Sequence, residues 1–138
     1  MTLLQRPTAV ADLMTMEPVV IGADARLEEA EELMRRHHVS GLPVADRSGR
    51  LVGVISQTDF LYLADPQTRS LIRLAPDQVR VAEVMSRPPV TVLLSTSLVE
   101  AARVMRRERV HRVVVVDSQQ RPLGVLSALD YVDLYAEG

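Results

Sequence analysis

Two short segments carry the residue types best suited to hold a polar ligand. Gly53-Val54-Ile55-Ser56-Gln57-Thr58-Asp59 and Gly124-Val125-Leu126-Ser127-Ala128-Leu129-Asp130 each run an apolar stretch into a hydroxyl, with a carboxylate three residues on. Read as strand into helix, this puts Ser56 and Ser127 at helix N-termini, where unpaired backbone N–H groups and a partial positive charge favour an anion. The hydroxyl can join those donors around a phosphate. The carboxylate, acceptor-only when ionised, can take both hydroxyls of a ribose. The same Ser-x-x-Asp spacing is also a capping box, in which both side chains serve only their own helix. The two roles are compatible, and the spacing alone does not separate them.

A second candidate is Val110-His111-Arg112, just before the run Val113-Val114-Val115-Val116. A guanidinium fork suits phosphate oxygens and an imidazole adds a donor, although an exposed Arg beside a solvated His explains the same letters. Other chemistries find less support. His37 and His38 are adjacent, so they do not share a helix face, and a metal site is not expected there. Arg103, Arg106, Arg107 and Arg109 alternate with Glu100 and Glu108, which reads as a solvated face more than a nucleic-acid stripe. Met14, Met34, Met85 and Met105 read as packing. No G-x-S-x-G, Gly-rich phosphate loop or Cys is present, and every basic side chain apart from the histidines is Arg. Thiolate and lysine chemistries are therefore absent, and no enzyme is expected.

The elements that must position these residues occur twice. VADLMTMEPVV from Val10 matches VAEVMSRPPVT from Val81, and the offset of 71 holds without a gap to Leu63 and Leu134, with more than a third of the pairs identical. Such self-similarity means a repeated structural unit. Each copy opens with a short helical turn (10–14 and 81–85), followed by a strand (19–21 and 90–93). An amphipathic helix comes next, with Leu27, Ala30, Leu33 and Met34 on one face and Leu98, Ala101, Val104 and Met105 on the matching face. Ser97 and Glu100 predict a capping box that Arg26 breaks in copy one. Two strands joined by a tight turn (42–45 and 51–55; 112–116 and 123–126) and a last helix from about Ser56 or Ser127 complete each copy. The order is β-α-β-β-α, twice, in an α+β fold. The four-valine run predicts a strand covered on both faces. Helices on one sheet face leave the other for the second copy, so the expectation is a pseudo-two-fold pair packed sheet to sheet with clefts between the copies. The domains are expected at 8–64 and 79–138, with a linker over 65–78 and a short helix near 69–74.

Composition sets the bounds. The 138 residues are 47% hydrophobic and 3% aromatic, with a net charge of −2. The core must be aliphatic, and nothing in the overall charge draws the chain to nucleic acid or anionic lipid. No apolar run approaches the roughly 20 residues of a membrane span, and the first ten residues lack a signal-peptide pattern. A cytoplasmic protein is expected.

The two copies resemble cystathionine β-synthase (CBS) domains, and the chain resembles one CBS pair, or Bateman module. The segments that carry the likeness in copy one are V-x-D-L-M-T-x-x-P-V-V, L-E-E-A-x-x-L-M, H-H-V-S-G-L-P-V-A-D and G-V-I-S-Q-T-D, in that order. The resemblance implies a non-catalytic regulatory module that requires no cofactor and takes an adenine nucleotide (AMP, ADP or ATP) as its regulatory ligand. It implies that Asp59 and Asp130 hold ribose and that Ser56 and Ser127 approach phosphate. It places Val20, Ile21, Thr91 and Val92 of the first strand at the adenine, with Val39, Pro43, Val110 and Val114 completing the pocket. The stretch V-H-R-x-x-V-V-D is similar to the γ regulatory subunit of AMP-activated kinase, which implies phosphate contacts for His111 and Arg112. Copy one has Ser40-Gly41 there, so two unequal sites are expected. A homodimer is expected by the same likeness, with an unidentified partner protein also in view. The alternative is a dimerisation or interaction module with degenerate sites, docking on an enzyme or nucleic acid.

Overall fold

The computed structural model describes residues 7–67 and 78–137. A 3-10 turn (Val10–Asp12) leads to β1 (Thr15–Met16), β2 (Ile21–Gly22), α1 (Leu27–His37), β3 (Gly41–Ala45), β4 (Leu51–Ser56) and α2 (Gln57–Ala64). Then follow α3 (Val81–Val84), β5 (Thr91–Leu93), α4 (Leu98–Glu108), β6 (Arg112–Val116), β7 (Pro122–Ser127) and α5 (Ala128–Glu137). The expected helix near 69–74 lies outside the described residues.

These elements form two compact units, Val19–Pro89 and Met1–Pro18 with Val90–Gly138. Each unit holds one copy's sheet and its two long helices, and borrows the opening segment of the other copy. In the first-copy unit, the backbone of α3 is tied down by Val81 N to Ala25 O at 2.9 Å and Ala82 N to Ala23 O at 3.0 Å. In the second-copy unit, Val10 N reaches Thr96 O at 2.8 Å, and Leu98 N reaches Thr8 O at 2.9 Å. The reason is apolar. Val10 and Val81 are fully buried, each in the core of the unit that borrows it, and burying one such side chain contributes about 1.5–3 kcal/mol.

Both sheets have a parallel pair and an antiparallel hairpin: β2-β3-β4 in one unit and β5-β6-β7 in the other. The second sheet gains a fourth strand, because β1 pairs antiparallel with β7 through Thr15–Val125 and Met16–Gly124. Strand alternation sorts the side chains. Leu42, Val44 and Ile55 pack on α1, while Val113, Val115 and Leu126 pack on α4. All four valines of β6 are buried, as expected of a strand covered on both faces.

The expected strand at 19–21 is displaced to Ile21–Gly22, and that at 90–93 shortens to Thr91–Leu93. Pro43 accounts for the difference between the copies. Val114 N donates to Val90 O at 3.1 Å, but Pro43, at the matching place, has no N–H, so parallel pairing begins one residue later in copy one.

Gly53 and Gly124 have a packing reason. A Cβ on Gly53 would stand 2.6 Å from Met85 Sδ and 2.9 Å from Ser86 O. On Gly124 it would stand 2.7 Å from both Met14 Sδ and Thr15 O. The borrowed segment crosses the hairpin too closely for any side chain. The paired methionines fill that crossing, as packing.

Candidate functional site

Each strand-to-helix turn is built by its sheet. β4 ends at Ser56 opposite Gly41, and β7 ends at Ser127 opposite Arg112. The last residue before each neighbouring strand closes the next helix: Gln57 N donates to Ser40 O at 2.9 Å, and Ala128 N to His111 O at 2.7 Å. Both turns contain the carboxylate half of the expected cap, and copy two has the hydroxyl half as well. Ser56 N donates to Asp59 Oδ2 at 2.7 Å and Ser127 N to Asp130 Oδ2 at 2.8 Å, while Asp130 N reaches Ser127 Oγ at 3.4 Å.

Beyond that the turns diverge. Asp59 is only 4% exposed, the one buried charged residue among those described. Its Oδ2 also accepts from Ser56 Oγ at 3.3 Å, and its Oδ1 accepts from Ser86 Oγ at 3.1 Å. Ser56 Oγ lies 2.7 Å from Thr58 Oγ1. Asp130 is half-buried, and no hydrogen bond from a described residue reaches its Oδ1. The place of Ser86 is held by Thr15, which is exposed, as Ser86 is, but donates nothing to Asp130. Sequence reasoning missed Ser86. The signal was available: Thr15 and Ser86 are a repeat pair of hydroxyls one residue after a buried or half-buried methionine.

The remaining candidates divide by sheet face. Ile21 and Val92 are buried in the helix-side cores, and Val39 and Val110 pack against those cores. Pro43 and Val114 are buried but belong to neither helix-side core. They share the opposite face with Val20, which is exposed, and Thr91, which is half-buried. In the second-copy unit the registers Thr15–Val125, Val125–Val114 and Val114–Thr91 set one row across that face. Arg112 and Ser127 form the next row, with Cβ atoms about 5 Å apart by pair geometry.

His111 and Arg112 are not brought together. Arg112 alternates with Val113 and so faces away from the helices. It is half-buried, and desolvation lowers its pKa from the ordinary value. His111 is exposed and lines a groove of 1330 Å³ between α4 and α5, with Val99, Arg106, Arg109, Tyr131 and Tyr135 on its walls. Tyr131 donates to Leu98 O at 2.6 Å and ties α5 to the start of α4; burial, and then Asp130, raise its pKa. Phe60 stands there in copy one without a hydroxyl.

Other candidates occupy the surface. Ser97 Oγ caps α4 by accepting from Glu100 N at 3.0 Å, and Arg26 makes no such cap on α1. Arg103 lies 3.9 Å from Glu100, and Arg107 lies 3.7 Å from Glu108. Among the described residues no group of three or more His, Asp or Glu is placed to hold a metal, and no helix is long and apolar enough to cross a membrane.

With this geometry in view, the sequence profile of the CBS domain matches residues 10–65 and 81–137. The chain belongs to the CBS domain family. Its two copies are a tandem CBS pair in a mixed α+β fold. Among solved structures, CBSX2 in complex with AMP superposes with a TM-score of 0.81 at 30% identity, over 94% of this chain and 96% of that one. The CBS pair of MJ0100, in complex with 5′-methylthioadenosine and S-adenosyl-L-methionine, superposes with a TM-score of 0.81 at 23% identity, over 95% and 98%. Among curated proteins, inosine-5′-monophosphate dehydrogenase of Mycobacterium bovis is 32% identical over 86% of this chain. This CBS pair spans about a fifth of that relative's length, 21%.

Proposed function

We propose that this CBS pair is a non-catalytic regulatory module that binds an adenosine-containing ligand, with AMP as the first candidate. The observation that carries the reading is the second-copy turn. There Asp130 keeps a carboxylate oxygen that accepts from no described residue, three positions past Ser127, and Arg112 is the cross-strand partner of Ser127 where β6 begins and β7 ends. Asp130 takes ribose hydroxyls, and Ser127 and Arg112 take phosphate. Thr91 and Val114, which share the face away from the helices, supply the base pocket, with Val20 and Pro43 as their counterparts in copy one; Val92, Val110, Ile21 and Val39 stand on the helix side instead. His111 stands apart from this set, at the groove. The AMP bound by CBSX2, at 30% identity, supports the choice of nucleotide.

Isothermal titration with AMP, ADP, ATP and adenosine tests this. Asp130→Ala should weaken AMP by about tenfold or more, the scale of lost hydrogen bonds to a charged group. Arg112→Ala should weaken AMP about tenfold and leave adenosine unchanged. The absence of heat with all four ligands overturns the reading, as does wild-type AMP affinity in both variants.

A second reading, an interaction module, draws on Val99, Leu129, Val132 and Tyr135, all exposed on the α4 and α5 side. A surface of this kind suits a second copy of the chain. Sedimentation should then show a homodimer that Val132→Glu dissociates, and a monomeric wild type removes this reading.

A further inference from the structure

Asp59 and Asp130 occupy the same place in the two copies, yet among the described residues donors fill one carboxylate and leave an oxygen of the other without one. Asp59 accepts from Ser56 N, Ser56 Oγ and Ser86 Oγ, at 2.7, 3.3 and 3.1 Å. The last bond comes from outside the turn. Ser86 follows α3, in the segment that copy two lends to the first-copy unit, and its backbone is fixed there. Val54 N donates to Ser86 O at 3.1 Å, and Ser86 N donates to Val54 O at 2.9 Å. The Ser86 main chain is therefore fixed beside Asp59 by a two-bond backbone bridge and by the close crossing at Gly53, with its exposed side chain bonded to the carboxylate. A ribose diol needs two acceptor positions on one carboxylate. At Asp59 it meets an oxygen already bonded to a tethered donor, in a side chain almost wholly out of solvent. At Asp130 the matching Thr15 makes no such bond.

We propose that Ser86 is the residue that closes the Asp59 site, making this an asymmetric module that takes its adenosine ligand at Asp130 and keeps the Asp59 position shut. Ser86 acts as a built-in surrogate for a ribose hydroxyl. A ligand reaches both oxygens of Asp59 only by turning that hydroxyl away. The inference rests on the adenosine reading above, and it concerns a different residue from those that bind at Asp130.

Titration of AMP into the wild-type chain, Ser86→Ala and Ser86→Cys tests the closure. 2′-Deoxy-AMP serves as the ligand lacking one diol hydroxyl. Wild type should take one AMP per chain. Both variants should take a second, or bind their weaker AMP at least about tenfold more tightly, since a hydrogen bond to a charged group is removed from competition. Adding Asp59→Asn to Ser86→Ala should abolish the gained site and leave the first intact, and 2′-deoxy-AMP should fail to fill it. Thermal melts of the same proteins confirm that each is folded. Isotherms of both Ser86 variants that superimpose on wild type overturn the closure and leave the Asp130 reading standing. So does a wild type in which Asp59→Asn and Asp130→Asn each remove one equal site. Silence with AMP in wild type and both variants overturns the adenosine reading and the closure together.

Discussion

The turns at Ser56–Asp59 and Ser127–Asp130 share backbone course and cap, and they differ in what lies across from the carboxylate. In copy one, two hydroxyls and an amide converge on Asp59, and the pairing strand offers Gly41 where a cation would stand. In copy two, Asp130 keeps an accepting oxygen, and Arg112 lies across from Ser127. One duplicated scaffold has thus taken two electrostatic roles. Where the polar groups satisfy each other, the turn is a joint. Where a carboxylate oxygen accepts from no described residue, as at Asp130, it is the place we propose for a ligand. Buried polar groups resist being left unpaired, so the same Ser-x-x-Asp is structural or functional according to its neighbours.

Stability should show this difference most strongly. Asp59→Ala removes a buried carboxylate that accepts from the half-buried Ser56 amide and hydroxyl and from Ser86, and should cost about 2 kcal/mol, whereas Asp130→Ala loses mainly a cap, about 1 kcal/mol. Urea denaturation of both variants checks the contrast, and equal losses would break it. Gly53→Ala and Gly124→Ala sharpen the part the copies share. Each forces a Cβ against a backbone oxygen and a methionine sulfur, so each should lose about 1–3 kcal/mol. A large loss at only one of them would mean the crossings are not equivalent.

A smaller effect is expected in the hairpin loops. Gly49 has φ of 88°, and its counterpart Gln120 has φ of 64°. Gln120→Gly should therefore stabilise by about 1 kcal/mol, since a residue with a Cβ is strained there, while Gly49→Ala should destabilise.

The smallest difference concerns Asp46 and Asp117, which cap those loops. Asp46 accepts from Ser48 Oγ at 2.6 Å, Ser48 N at 2.9 Å and Arg50 N at 3.0 Å. Among the described residues, the Asp117 carboxylate accepts from the amides of Gln119 and Arg121. The Ser48 hydroxyl is the main cause holding Asp46 below its ordinary 3.8. A depressed carboxylate favours the folded state above its ordinary value, and that advantage is lost as pH falls through the lowered one. Asp46→Asn should thus flatten the acid limb of Tm against pH below about 4, and a profile identical to that of the wild type would remove the role given to the Ser48 hydroxyl.

Much of this molecule was readable in the chain. The 71-residue offset, the apolar stripes of α1 and α4, the four-valine strand and the Ser-x-x-Asp caps are local or periodic signals, and periodicity is what sequence displays best. The β1 pairing was not readable, because two residues form too short a run to show alternation. The later start of β2 depended on the missing N–H of a proline two elements away.

By itself the sequence determined a duplicated α+β unit, the hydroxyl and carboxylate at each helix start, and an arginine in copy two where copy one has glycine. Tertiary structure decided which copy's opening segment closes which core. It decided that His111 and Arg112 part to opposite faces, and that the Ser86 hydroxyl meets Asp59. The physical reason is range. Caps and amphipathic faces are set by residues a few positions apart, whereas the occupancy of a carboxylate is set by whichever donor the folded chain carries to it, here from 27 residues downstream.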